Sequence, residues 1–112
     1  MWRLKNLEVV SPALMLSVIA ADVQQQFGLD VITSAHRPGD LGVHGTYPET
    51  RGLDLRCRNA AQGEVVCDYI NSRYQYDPDR PDKMCAIFHK VGNGAYHLHL
   101  QSHPNTIRRK VC

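Results

Sequence analysis

His44, Asp54 and His99 are the residues whose chemistry is most specific in this chain. Each can give one atom to a shared metal ion. Two histidines and one carboxylate leave a fourth position open to water, which is the donor set of a catalytic zinc rather than of a closed structural one. They lie in the segments VHGTYPETRGLDLRC and AYHLHLQ. Arg37, in VITSAHRPGD, lies just upstream as a candidate oxyanion-stabilising group.

The spacing within each segment bears on this reading. His97 and His99 are two apart, so on a strand they leave the same face while Leu98 and Leu100 take the other. An isolated H-x-H is more often a polar strand face than a metal site. Asp54 alternates with Leu53 and Leu55 in the same manner. A carboxylate buried there needs a partner; a metal is one, and Arg51 or Arg56 is the ordinary alternative. Gly42 and Gly45 flank His44 and let the backbone turn sharply toward an ion. Of the other histidines, His36 lies beside Arg37 and can line a cleft. His89 falls across a hairpin from His97, where packing or plain exposure is the ordinary reading. His103, before Pro104, is expected in solvent.

These residues need strands to carry them, and the chain has the material. It holds 112 residues, one domain's worth, with 43% hydrophobic and 21% charged residues and a formal charge of +2. That charge favours loose attraction to anionic surfaces and gives no expectation of nucleic-acid binding. Cys57, Cys67, Cys85 and Cys112 show no C-x-x-C spacing, so a cysteine zinc site is not expected; Cys67 and Cys85 read as small core residues. Arg3 and Lys5 ahead of ALMLSVIAA imitate a signal peptide, but Glu8, Ser11-Pro12 and Asp22 interrupt the pattern, and a core helix is the better reading. No stretch is long enough to span a membrane.

A helix is expected from about Ser11 to Phe27, with Ser11 as N-cap, Pro12 in the first turn and Gly28 as the stop. Its apolar stripe is Leu16, Ile19 and Val23, widened by Leu14, Met15 and Val18. LDVITSA is a short buried strand, and 37–51 a long loop of the kind that carries function. GLDLRCR is a second strand. A second helix runs from about Ala60 to Tyr74, started by Asn59 with Gln62. DPDRPDK is a proline-broken loop, and KMCAIFHK with AYHLHLQS forms an antiparallel hairpin around Gly92-Asn93-Gly94. The order predicts one α+β domain over 1–112, a small antiparallel-rich sheet with its helices packed on one face.

Taken in order, these segments resemble the zinc peptidases of bacterial peptidoglycan: D-alanyl-D-alanine carboxypeptidases and phage L-alanyl-D-glutamate endopeptidases, whose fold the hedgehog signalling domain shares. Thr33, Ser34 and Arg37 match the phrase T-S-G-[YF]-R, with Ala35 and His36 replacing the glycine and aromatic. His44, Gly52 and Asp54 match S-x-H-x-x-G-x-A-x-D, with Gly42 for the serine and TYPET as extra loop. His97 and His99 match the H-x-H form of the last strand; Tyr96 stands where the E-x-x-H form has its carboxylate, which excludes that subtype.

The resemblance implies a zinc cleft on the sheet face away from the helices and one Zn2+ per chain on His44, Asp54 and His99. It implies His97 as the acid–base partner and Arg37 as the oxyanion stabiliser, with Glu49 an outside candidate for general base. The implied activity is hydrolysis of an amide in a peptidoglycan stem peptide, as endopeptidase or carboxypeptidase. A phage or prophage endolysin, made in the cytoplasm and acting on the cell wall after release, fits best. A non-catalytic zinc-binding module of the same fold, and a small phage interaction protein with a basic tail at Arg108, Arg109 and Lys110, are the alternatives.

Overall fold

A computed structural model describes residues 3–4, 14–35, 51–90 and 96–109. The first helix, α1, spans Leu14–Phe27, and its buried residues are Leu16, Ile19, Ala20 and Val23. These recur at three and four positions, so they share one side of the helix. The stripe is narrower than the sequence suggests: Leu14 is 79% exposed and Val18 37%. The helix stops at Gly28, whose φ of 72° carries the chain into the left-handed region and whose N–H donates to Gln24 O at 2.9 Å. The expected start at Ser11 and Pro12 lies outside the described residues.

The second helix, α2, spans Ala60–Arg73. The Asn59 side chain accepts from Gln62 N at 3.1 Å, which satisfies an early amide. The expected end at Tyr74 is overtaken by a two-residue strand. Tyr74–Gln75 (β4) pairs antiparallel with Ile107–Arg108 (β7).

The remaining described strands form one sheet. They are Arg3–Leu4 (β1), Val31–Ser34 (β2), Gly52–Arg56 (β3), Ala86–Lys90 (β5) and Tyr96–Gln101 (β6). Their order is β1-β2-β3-β6-β5. The β1–β2 pair is parallel and the others antiparallel. The expected hairpin of β5 and β6 is present, while its turn lies outside the described residues.

Register decides what each face carries. Leu53 lies opposite Leu100, Leu55 opposite Leu98, and Leu98 and Leu100 opposite Phe88 and Ala86. These residues build the core with Ile32, the buried stripe of α1, and Val66 and Ile70 of α2. Both helices therefore cover the same sheet face, a two-layer α+β arrangement. Alternation sends Asp54, Arg56, His89, His97, His99 and Gln101 to the other face. No described helix is long and apolar enough to cross a membrane.

Candidate functional site

The polar face has two facing pairs at its centre. Asp54 on β3 lies directly opposite His99 on β6, and Arg56 opposite His97, which in turn faces His89 on β5. Thus the alternation of Asp54 with leucines and the H-x-H spacing converge on neighbouring positions. His99 is 8% exposed. Its Nδ1 lies 2.8 Å from Asp54 Oδ1, and the His89 ring meets its ring edge-on with centroids 5.9 Å apart. Tyr96 takes the helix face instead and stacks on Phe88, so an E-x-x-H arrangement has no side chain available there.

Ser34, opposite Asp54 across a register shift in β2, adds a hydroxyl to this face. Thr33 Oγ1 donates to Asp54 O at 3.2 Å and so ties β2 to the backbone beneath the carboxylate. Ser34 Oγ and His97 Nδ1 are buried atoms that lack a hydrogen-bond partner. Such atoms cost about 1–3 kcal/mol each when left unpaired.

Hydrogen-bond direction around His99 is constrained by its neighbours. Gln101 Nε2 donates to Met84 O at 2.7 Å, because a carbonyl can only accept. The amide oxygen of Gln101 therefore faces His99 Nε2, at 3.1 Å, and accepts from it. With the proton on Nε2, a neutral ring would point the Nδ1 lone pair at the Asp54 carboxylate. Two acceptors 2.8 Å apart need a positive charge between them. Either a second ring proton or a cation bound to both atoms supplies it.

The donors fit a zinc ion in kind: one carboxylate oxygen and one imidazole nitrogen whose other nitrogen is anchored. In spacing, the pair sits at hydrogen-bond distance. Two donors on one tetrahedral zinc lie about 3.3 Å apart, so an ion would part them by roughly half an ångström. His44, the third expected ligand, and Arg37, the expected oxyanion group, lie outside the described residues, as do His36 and Glu49. Among the described residues, no group of three or more His, Cys, Asp or Glu side chains converges on a metal position. Arg51, one of the ordinary partners considered for Asp54, donates from Nε to Ser102 O at 3.1 Å.

The other candidates separate clearly. Cys57, Cys67 and Cys85 are free thiols. Burial pushes the Cys85 thiol up to about 12 and Cys67 to about 11, so both stay protonated in the neutral range. His103 is not the solvent-exposed residue the sequence suggests. Its ring packs on Tyr76 at 5.6 Å, its Nδ1 accepts from Asn105 N, and burial with Arg51 and Arg80 nearby lowers its pKa. The basic segment is tied down as far as it is described: Arg108 lies in β7, and Arg109 donates to Asn71 O at 3.0 Å and through its amide to Arg73 O at 2.7 Å. Gln101 is the functional candidate that sequence reasoning missed. Its signal was its position, two residues beyond His99 on the same strand and therefore on the same face. Compared with protein families, curated proteins and solved structures, the chain matches none.

Proposed function

We propose that this chain is a zinc-dependent amide hydrolase acting on peptidoglycan stem peptides, a cell-wall lysis enzyme of phage or prophage type. The observation that carries the reading is the Asp54–His99 pair, a carboxylate oxygen and an imidazole nitrogen facing each other at 2.8 Å, with the other ring nitrogen against the Gln101 amide oxygen. That arrangement suits a cation, and the pair joins two of the three motifs that resemble the peptidoglycan peptidases.

The zinc would be held by Asp54, His99 and His44, and when bound it supplies a Lewis acid and lowers the pKa of water to about 7. The residues of the chain divide the remaining work. His97 leaves the same sheet face as His99, two positions away, without taking part in the Asp54 pair. It is assigned the acid–base role, taking a proton from water and passing one to the leaving amine. Arg37 is assigned to the carbonyl oxygen, where its fixed fork offsets growing negative charge. Asp54 would serve as a ligand and hold His99 in place rather than act as a base.

The ring-to-carboxylate distance also suits a plain ion pair, which favours a second reading as a non-catalytic module of the same architecture; fold alone does not establish activity. One experiment separates them. Purified peptidoglycan is digested with zinc-loaded wild type and with His97→Ala, and the products are identified by mass spectrometry. New amine and carboxyl termini within the stem peptide, formed by wild type only, support the hydrolase. Zinc-loaded wild type that releases no fragment contradicts it.

A further inference from the structure

Gln101 belongs to a chain of hydrogen bonds that begins in the helix layer and ends at the polar site. Asn71 on α2 sets its first link. Its Oδ1 accepts from Cys85 N at 3.1 Å and from Ala86 N at 3.0 Å, while its Nδ2 donates to Ala86 O at 2.9 Å. All three contacts agree on one amide orientation, so Asn71 cannot flip without losing them. The Cys85 N–H belongs to the same rigid peptide plane as the Met84 carbonyl. Holding one end of that plane therefore aims the other.

The aimed carbonyl then orients Gln101. Gln101 Nε2 donates to Met84 O at 2.7 Å, and its own backbone N–H donates to Cys85 O at 2.9 Å. With both backbone and side chain tied to the same turn, the amide oxygen is left facing His99 Nε2 at 3.1 Å. Reversing the amide would set its oxygen against the Met84 carbonyl and its NH2 against the ring. Each link in the series thus fixes the donor direction of the next, from α2 to His99.

We infer that Gln101 is a positioning residue that holds the His99 ring with Nε2 protonated and Nδ1 turned toward Asp54. This rests on the reading of His99 as a metal ligand. A ligating histidine works best when its second nitrogen donates to a fixed acceptor, since this selects the tautomer, fixes the ring plane and raises the basicity of the ligating nitrogen. Carboxylates and backbone carbonyls are the usual acceptors. Here a side-chain amide serves, and it is oriented by the backbone of Met84 and Cys85 just ahead of β5.

The test has two arms, one of which needs no metal. In metal-free protein labelled with 15N at histidine, the His99 Nε2 resonance should be that of a protonated nitrogen, with a proton slow to exchange with water. In Gln101→Leu that proton should exchange rapidly while the fold, followed by circular dichroism, is kept. A wild-type ring with a bare Nε2 overturns the inference, as does unchanged exchange in the variant. In the second arm, zinc affinity is measured by chelator competition. Gln101→Leu should bind about 10- to 100-fold more weakly. Equal affinity in Gln101→Leu and wild type overturns the inference. A wild type that binds no zinc sinks the metal reading instead, and the first arm still decides the role of Gln101.

Discussion

Substituting Gly63 tests whether α2 and β5 are pressed together as closely as described. A Cβ added at Gly63 would lie 2.2 Å from Phe88 Cδ1, 2.4 Å from Cε1 and 2.8 Å from Cγ. Carbon atoms rest comfortably about 3.5–4.0 Å apart, so the ring would have to retreat by more than about 1 Å. Tyr96 stacks on the same ring with centroids 5.5 Å apart, so a moving Phe88 must also disturb that contact. Overpacking of this kind costs about 1–3 kcal/mol, and three ring carbons are struck, so the upper end applies. Alanine returns about 1 kcal/mol through its better helix propensity. Gly63→Ala should therefore lose about 2 kcal/mol in urea unfolding, or on the order of 10 °C in Tm. Phe88→Leu should relieve the clash, so the double variant should be more stable than the two single losses added together. A Gly63→Ala protein as stable as wild type, with no coupling to Phe88→Leu, would refute the packing argument.

Three further predictions concern the site and the ionisable groups. His97→Ala should keep its zinc and lose about a hundredfold or more in turnover; loss of zinc there with retention in His99→Ala would reverse the two roles. Arg37→Ala and Arg37→Lys should both fold, keep zinc and lose on the order of a hundredfold in turnover, whereas near wild-type rates would make Arg37 a structural residue. The Asp77 carboxyl is held below its ordinary 3.8 chiefly by the Asp79 N–H, with Arg80 adding to the effect. Its folded pKa is thus the lower one, so its stabilisation is present above about pH 4 and disappears as pH falls through the folded value. Urea midpoints should drop between pH 5 and pH 3 in wild type and drop less in Asp77→Asn; equal slopes would contradict this.

Much of the fold was legible because alternation and helical periodicity are local signals. GLDLR and YHLHLQ each alternate cleanly, and the structure places both as strands with their leucines in the core. The same alternation put Asp54, His97 and His99 on one face. Their contact was not local information. It depends on β3 and β6 being neighbours in register, which joins residues separated by a whole helix. The strands β1, β4 and β7 are two residues each, too short to carry any period. Leu14 and Val18 were misjudged because the helix rotation is set by what α2 and the sheet present to it. His103 was misjudged because its surroundings come from Tyr76 and Asp77, distant in sequence. Gln101 escaped notice because an amide is a weak chemical signal until its partners, Met84 O and His99 Nε2, are known.

The central claim is that Asp54 and His99 share a cation, and metal stoichiometry tests it most directly. Protein purified in metal-replete buffer and freed of loosely bound ions would be analysed by inductively coupled plasma mass spectrometry, beside His44→Ala, Asp54→Ala and His99→Ala. One zinc per wild-type chain is expected, with loss of that zinc in each folded variant. Wild-type protein without zinc, or Asp54→Ala and His99→Ala that keep it, would show that the pair at 2.8 Å is a hydrogen-bonded ion pair and not a metal site.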